Sequence, residues 1–106
     1  MTVAEALLAA IREAFDSRRY VLILHAVRQA EERKIAIQEL EEAVRSADAE
    51  IIENYLEDER GPSCLLLGVT MNGRVLHIQL SHPPAVWVIT AYEPSDDKWT
   101  DAKTRR

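Results

Sequence analysis

The sequence is poor in several residue types. It contains one cysteine, Cys64, three glycines and six aromatic residues. A single cysteine excludes an internal disulfide and a zinc site built from thiolates. No apolar run approaches the roughly 20 residues that cross a bilayer, and no basic stretch followed by an apolar block opens the chain. We therefore expect a cytoplasmic protein with no membrane partner.

Motifs of several common chemistries are also missing. The chain has no phosphate-binding glycine loop, no metal-ligand spacing and no nucleophile elbow. We therefore expect neither a cofactor nor a metal site.

The composition is that of one small acidic globular domain. The 106 residues are 47% hydrophobic and 29% charged, with a net charge of -5. Residues 1–60 carry 8 basic and 14 acidic residues, whereas residues 61–106 carry 5 and 4. Any polyanion would have to bind a local patch that the overall charge hides.

The first half of the chain has helical periodicity. Thr2 and Glu5 have the spacing of a capping box, so a first helix should begin there and end at Asp16 and Ser17. The aliphatic run 21–24 suits either a strand or the first turn of a buried helix. The helix formers that follow favour a second helix over about 22–33. A third helix is predicted over about 37–46, with its inward residues being Ile37, Leu40 and Val44.

The second half has strand periodicity. Residues 51–56 suit either a short helix or an edge strand, with strand preferred. Asn72–Gly73 predicts a type I′ hairpin turn between strands 63–70 and 75–81, in a register where paired residue numbers sum to 145. This register places His77 opposite Gly68, where the missing side chain leaves room for a ligand.

The predicted sheet has one core face and one mixed face. The core face carries Leu65, Leu67 and Val69 beside Leu76, Ile78 and Leu80, and the mixed face carries the residues between them.

The order of elements predicts an α+β domain. We expect N-terminal helices packed on a four-stranded, mainly antiparallel sheet, with strand 86–92 apolar on both faces and central. A single domain would span residues 1–99, with Trp87 in the core and Trp99 folded back on the sheet. Residues 100–106 would form a polar tail.

Several short strings resemble a known bacterial family. They are His25-Ala26, Glu32-Arg33-x-Ile35, Gly61-Pro62-Ser63-Cys64-Leu65, Asn72-Gly73-Arg74-x-Leu76-His77 and Tyr92-Glu93-Pro94-x5-Trp99. Together they resemble the bacterial domain-of-unknown-function family 4258, from about Tyr20 to Trp99. The resemblance implies a fold like that of the RelE, ParE and MqsR toxins and an antitoxin partner of the MqsA zinc-finger type. It therefore implies an RNA-cleaving toxin.

The chain departs from the family pattern at three positions. Lys34 stands where the family commonly has Gly, and Ala36 stands where it has a Ser cap, which weakens both helix ends. Gln29 stands where the family often has a second Arg, and the neighbouring Arg28 is rotated by about 100° around the helix.

Four residues are candidate catalytic groups. RNA can be cleaved without a metal ion when a base, an acid and a cation act on its 2′-hydroxyl and phosphate. Histidine titrates near neutral pH, so His77 and the family-matched His25 are candidates, with Arg33 as a phosphate anchor and Tyr92 as a donor. The structural alternatives are a histidine packed over Gly68, residues that order the ends of helix two, and a strand-end tyrosine with a wet hydroxyl.

The remaining charged and sulfur-containing residues have simple structural interpretations as well. Cations that could contact RNA are also typical solvated charges; they are Arg18, Arg19, Arg28, Arg74 and Lys98. Cys64 is predicted to be a buried thiol. Residues 57–59 are predicted to form a solvated acidic turn, which could also meet a basic partner.

Two functional hypotheses follow. The first is a metal-independent endoribonuclease, the toxin of a type II toxin–antitoxin pair, acting on RNA that is free or ribosome-bound. The second is a non-catalytic interaction domain of the same fold, either a monomer or a homodimer joined through the edge 51–56. They differ in whether His25, Arg33, His77 and Tyr92 converge on one cleft.

Overall fold

The computed structural model describes all residues from 1 to 106. Three α-helices come first: α1 (Val3–Asp16), α2 (Leu24–Glu32) and α3 (Ile37–Arg45). The predicted capping box of α1 is confirmed, because the Thr2 hydroxyl accepts from the Glu5 amide at 3.0 Å and the Glu5 carboxylate accepts from the Thr2 amide at 3.0 Å. None of these helices is long and apolar enough to cross a membrane.

The strands form two sheets. Five of them are β1 (Val21–Leu22), β2 (Glu50–Tyr55), β3 (Ser63–Val69), β4 (Val75–Ser81) and β5 (Trp87–Tyr92), in the order β1-β5-β4-β3-β2. A separate small hairpin joins β6 (Trp99–Thr100) to β7 (Thr104–Arg105). The fold is therefore α+β with a mixed five-stranded sheet, and the strand preferred at 51–56 is confirmed.

The prediction of four strands was wrong because β1 was assigned to helix two. Val21 pairs with Trp87 and Leu22 with Val88, parallel to β5, and α2 begins only at Leu24. Four aliphatic residues fit both structures locally, and the parallel partner that decides between them lies more than 60 residues away in sequence. Because of β1, β5 is an internal strand while β4 is the central one.

The β3–β4 register is one residue away from the predicted one. Cys64 pairs with Leu80 and Val69 with Val75, so paired numbers sum to 144. Gly73 has a φ of 85°, whereas Asn72 is not at positive φ, so the connection is not a type I′ turn. It is a three-residue loop closed by the Thr70 amide donating to the Arg74 carbonyl at 2.9 Å.

This one-residue shift exchanges the two faces of β3. The helix-covered face carries Cys64, Leu66 and Gly68 beside Leu76, Ile78 and Leu80. Gly68 is the point where α3 approaches the sheet, since an added Cβ would lie 2.2 Å from the Ala43 carbonyl oxygen. Gly68 therefore makes room for a helix and not for a ligand, and His77 pairs with Leu67 on the opposite face.

The C-terminal residues pack against that opposite face. Trp99 is buried, as predicted, and its ring lies perpendicular to the His77 ring with the centroids 4.4 Å apart. Residues 100–106 do not leave the domain as a polar tail, because the β6–β7 hairpin folds back and Ala102 bonds to His77. An ion pair of 2.9 Å between Lys103 and Glu50 also fastens it to β2.

Three further packing predictions can be compared with the structure. Leu40 and Val44 are buried as predicted, but Ile37 is 53% exposed because it lies in the first turn of α3. Trp87 was predicted to lie in the core and is 51% exposed, whereas the next residue of β5, Val88, points to the other face and is fully buried. Cys64 is fully buried, and burial raises the pKa of its thiol to about 12.

Candidate functional site

The candidate site is built around a contact between β4 and β5. His77 and Tyr92 are cross-strand partners, and the Tyr92 hydroxyl lies 3.2 Å from His77 Nδ1. His77 has no exposed surface, whereas Tyr92 is half-buried and reaches the surface. Burial lowers the pKa of His77 and raises the pKa of Tyr92. At neutral pH the pair is therefore a neutral imidazole beside a neutral phenol.

The other ring nitrogen fixes the tautomer of His77. His77 Nε2 lies 2.6 Å from the carbonyl oxygen of Ala102, and a carbonyl only accepts hydrogen bonds. Nε2 must therefore carry the proton, which leaves a lone pair on Nδ1 for the Tyr92 hydroxyl to donate to. The imidazole is thus poised to accept the phenolic proton.

Tyr92 lines a cleft of about 360 Å³, which lies between the end of α2, the end of β5 and the C-terminal hairpin. The lining side chains carry three cations and one carboxylate, a locally positive balance in an acidic protein. The lining residues are Arg33, Tyr92, Glu93, Ser95, Lys98, Trp99 and Arg105.

Arg33 is held at the edge of the cleft by β5. Its Nη1 donates to the Ala91 carbonyl at 2.7 Å and also approaches the Gln29 and Thr90 side chains, at 3.2 Å and 3.3 Å. These contacts use one terminal nitrogen, so the remaining N–H groups of the guanidinium are available to an anion. Gln29 at this position contacts Arg33 directly.

Arg105 joins the hairpin to β2 and lines the cleft from the other side. Its Nε donates to both Glu53 oxygens at 3.0 Å, and Nη2 donates to the Tyr55 hydroxyl at 3.2 Å. Its guanidinium carbon lies 4.6 Å from the centroid of Trp99. Burial is the main reason why the pKa of Tyr55 is raised to about 12. The Tyr55 phenol therefore stays protonated beside Glu53.

The predicted site residues do not all meet. Arg33, Tyr92 and Lys98 line the cleft, and His77 lies directly beneath Tyr92. His25 lies on the exposed surface of α2, makes no side-chain hydrogen bond and lines no part of the cleft.

The other predicted RNA contacts lie elsewhere. Arg18 and Arg28 are exposed and do not line this cleft, and Arg19 pairs with Glu13 at 2.5 Å. Arg74 is only 20% exposed, and its guanidinium is occupied by protein acceptors. These four cations do not form the local positive patch that a polyanion would need.

Sequence reasoning missed the contribution of the hairpin. Arg105 and Ser95 were not predicted to belong to the site, and Trp99 was assigned only a packing role. The available signal was the set of basic residues that follow Trp99. Lys103 and Arg105 among them contact the sheet. No group of three His, Cys, Asp or Glu side chains is placed to hold a metal ion.

Comparison with known proteins identifies a family. Residues 23–93 match the family described as Domain of unknown function (DUF4258). The chain belongs to this family. The matched region of this DUF4258 chain contains Arg33, His77 and Tyr92, while Lys98 and the β6–β7 hairpin lie beyond it. The comparisons with curated proteins and with solved structures found no match.

Proposed function

We propose that this DUF4258 chain is a metal-independent endoribonuclease of the RelE/MqsR kind, the toxin of a type II toxin–antitoxin pair. The observation that carries the proposal is the Tyr92–His77 hydrogen bond at the base of a cleft lined by three cations. A phosphodiester needs cations for its charge and a base for its 2′-hydroxyl, and both are present together. The RelE-like fold and a cognate antitoxin, expected to be of the MqsA type, belong to the same proposal.

The pair would act as a proton relay. The 2′-hydroxyl gives its proton to the Tyr92 oxygen while the phenolic proton of Tyr92 passes to His77 Nδ1, so the imidazole becomes an imidazolium. The 2′-oxygen forms a bond to phosphorus, and the bond from phosphorus to the 5′-oxygen breaks. The leaving 5′-oxygen takes a proton from the Lys98 ammonium. The products are a 2′,3′-cyclic phosphate and a 5′-hydroxyl.

The cations would stabilise the phosphorane that forms during this attack. Arg33 and Arg105 approach the cleft from opposite sides, and each keeps N–H groups free of protein acceptors. Lys98 makes no ion pair, so its ammonium is available to the leaving group. The Ala102 carbonyl supports the imidazolium by accepting from Nε2.

The test is cleavage of an end-labelled single-stranded RNA, with and without ribosomes, in the presence of EDTA. We expect fragments that end in a cyclic phosphate or 3′-phosphate, and no cleavage where the scissile nucleotide is 2′-deoxy. Tyr92→Phe and His77→Gln should lower the cleavage rate by roughly 10²-fold or more, the usual contribution of general acid–base catalysis. His25→Gln is the matched control and should retain activity, because His25 lies outside the cleft.

A cellular experiment tests the partner. Expression of the chain alone should arrest growth, and co-expression of the adjacent open reading frame should restore growth and yield a stable complex. Intact RNA with and without ribosomes, together with normal growth on expression, would contradict the proposal.

One observation favours a second function. His77 has no exposed surface and both of its ring nitrogens are already bonded, which is also what a histidine of purely structural role requires. In that case the cleft binds a phosphodiester or an acidic partner without cutting it. Saturable binding of RNA that remains intact with and without ribosomes would favour this non-catalytic interaction domain.

A further inference from the structure

The cationic cleft contains one carboxylate, and a guanidinium outside the cleft neutralises it. Glu93 follows Tyr92 directly and lines the cleft beside Arg33 and Lys98. Its Oε1 accepts a hydrogen bond from Arg74 Nε at 2.6 Å. Without that partner, the carboxylate would repel a phosphate or occupy the cations that the phosphate needs.

Arg74 does not line the cleft itself. Its side chain is 20% exposed, and Nη2 donates to the Arg33 carbonyl while Nη1 donates to the Lys34 carbonyl, both at 2.8 Å. These carbonyls lie at the C-terminal end of α2, where a guanidinium is favourable. Nη1 also lies 3.1 Å from Glu39, whose carboxylate accepts from the Ala36 amide at the start of α3.

The same guanidinium therefore joins two segments that border the cleft. The end of α2 carries Arg33, and the residue after β5 is Glu93. Arg74 contacts the backbone of the first segment and the side chain of the second. Each of its three nitrogens already donates to a protein acceptor, and Arg74 does not line the cleft, so an anion bound there meets the other cations.

We propose that Arg74 is a positioning residue of the cleft, which holds Glu93 neutralised and away from a bound phosphodiester while it anchors the backbone of Arg33. The inference rests on the proposed function only in taking a phosphodiester as the ligand. Arg74 has no part in the proton relay, so it governs ligand affinity and not the chemical step.

A double-mutant cycle separates this role from simple helix capping. Arg74→Met removes both the cap and the neutralising charge, whereas Glu93→Gln removes only the carboxylate charge. If Arg74 acts through Glu93, Arg74→Met should weaken anion binding much less in the Glu93→Gln background than in the wild type. If Arg74 only caps α2, Arg74→Met should weaken binding equally in both backgrounds.

The probe is a fluorescent 2′-deoxy oligonucleotide, which cannot be cleaved through a 2′-hydroxyl, titrated at low salt. We expect Arg74→Met to weaken binding about tenfold in the wild type and by less than about threefold in the Glu93→Gln background, where no carboxylate is left to repel the anion. Arg74→Lys keeps the charge, but its single nitrogen cannot replace the three nitrogens that bond Glu93 and both carbonyls, so it should lower the Tm while retaining most of the affinity. It also serves as the folded variant if Arg74→Met does not fold.

The outcomes distinguish this inference from the proposed function. Wild-type protein that does not bind the oligonucleotide overturns the cleft as a phosphodiester site, and the role of Arg74 with it. Wild-type protein that binds, with Arg74→Met costing as much affinity in the Glu93→Gln background as in the wild type, overturns only the role of Arg74. If Arg74→Met does not fold, a tenfold loss of affinity in Arg74→Lys also overturns the role of Arg74.

Discussion

His77 is a fully buried histidine at the centre of the sheet, and its ring contacts Trp99, Tyr92 and Ala102. Burial disfavours the imidazolium and lowers the pKa of His77, while the Ala102 carbonyl opposes this only in part. Folding therefore makes this residue harder to protonate than it is in the unfolded chain.

This depressed pKa predicts that stability falls in acid. The unfolded chain takes up a proton on this histidine below about pH 6.5, whereas the folded protein resists protonation until its lower pKa is reached. The contribution is complete above about pH 6.5 and is lost as the pH falls through the folded pKa. The free energy of unfolding, measured with urea between pH 7.5 and pH 5, should fall with pH in the wild type. Its slope against pH should be shallower in His77→Gln.

His25→Gln serves as the control for this measurement. Its ring is exposed and makes no hydrogen bond, so the variant should keep the wild-type slope. Equal slopes in the wild type and in His77→Gln would show that His77 does not resist protonation in the folded state.

At the scale of elements, the packing of α3 on β3 depends on Gly68. An added Cβ would lie 2.2 Å from the carbonyl oxygen of Ala43 and 2.9 Å from its Cβ. The obstructing atoms are mainly backbone, so they do not move aside as a flexible side chain would. The helix and the sheet would have to separate.

Gly68→Ala should therefore lower the free energy of unfolding by about 3 kcal/mol or more. Gly73→Ala is the matched control, because Gly73 has open space around it and a φ of 85°. It should cost only about 1 kcal/mol, the penalty of a left-handed conformation. Urea denaturation measures both, and a loss in Gly68→Ala no larger than in Gly73→Ala would contradict the close approach.

At the C-terminal end of α2, tertiary contacts replace the local sequence features that usually end a helix. Lys34 has a φ of 55°, a conformation that glycine adopts more readily, as the departure from the family pattern indicated. Arg74 compensates by bonding the Arg33 and Lys34 carbonyls. Asp101 and Ala102 also have positive φ, at 52° and 61°, in the turn that brings the Ala102 carbonyl to His77.

At the scale of the whole molecule, the charge of -5 conceals a cationic cleft. Three lining cations would contact a phosphodiester, so log K for a single-stranded oligonucleotide should fall against log salt with a slope of about -2. Lys98→Gln should weaken binding and reduce that slope by about 0.7. Fluorescence anisotropy across a salt series measures both quantities.

Arg28→Gln is the control for the salt series. It removes one exposed positive charge outside the cleft, so it should leave the slope unchanged. A slope that changes equally in both variants would show that the anion binds a diffuse surface.

The sequence by itself determined most of the local structure. Helix periodicity, the Thr2–Glu5 capping box and the alternating strands identified three helices and four of the strands. The helices and strands depend on neighbours close in the chain, which the sequence displays directly. Arg33, Tyr92 and Lys98 could be named as candidates from residue type and from the family resemblance, but their meeting in one cleft depends on packing.

Only the tertiary structure decided the rest. The partner of β1 lies on β5, the β3 partner of His77 depends on a one-residue difference in hairpin register, and Arg105 reaches Glu53 on β2 from 52 residues away in sequence. Identical cations such as Arg28, Arg74 and Arg105 have the same chemistry in the sequence. Which of them faces a ligand, a carbonyl or solvent is set by contacts between distant segments, because position and burial depend on packing and not on residue type.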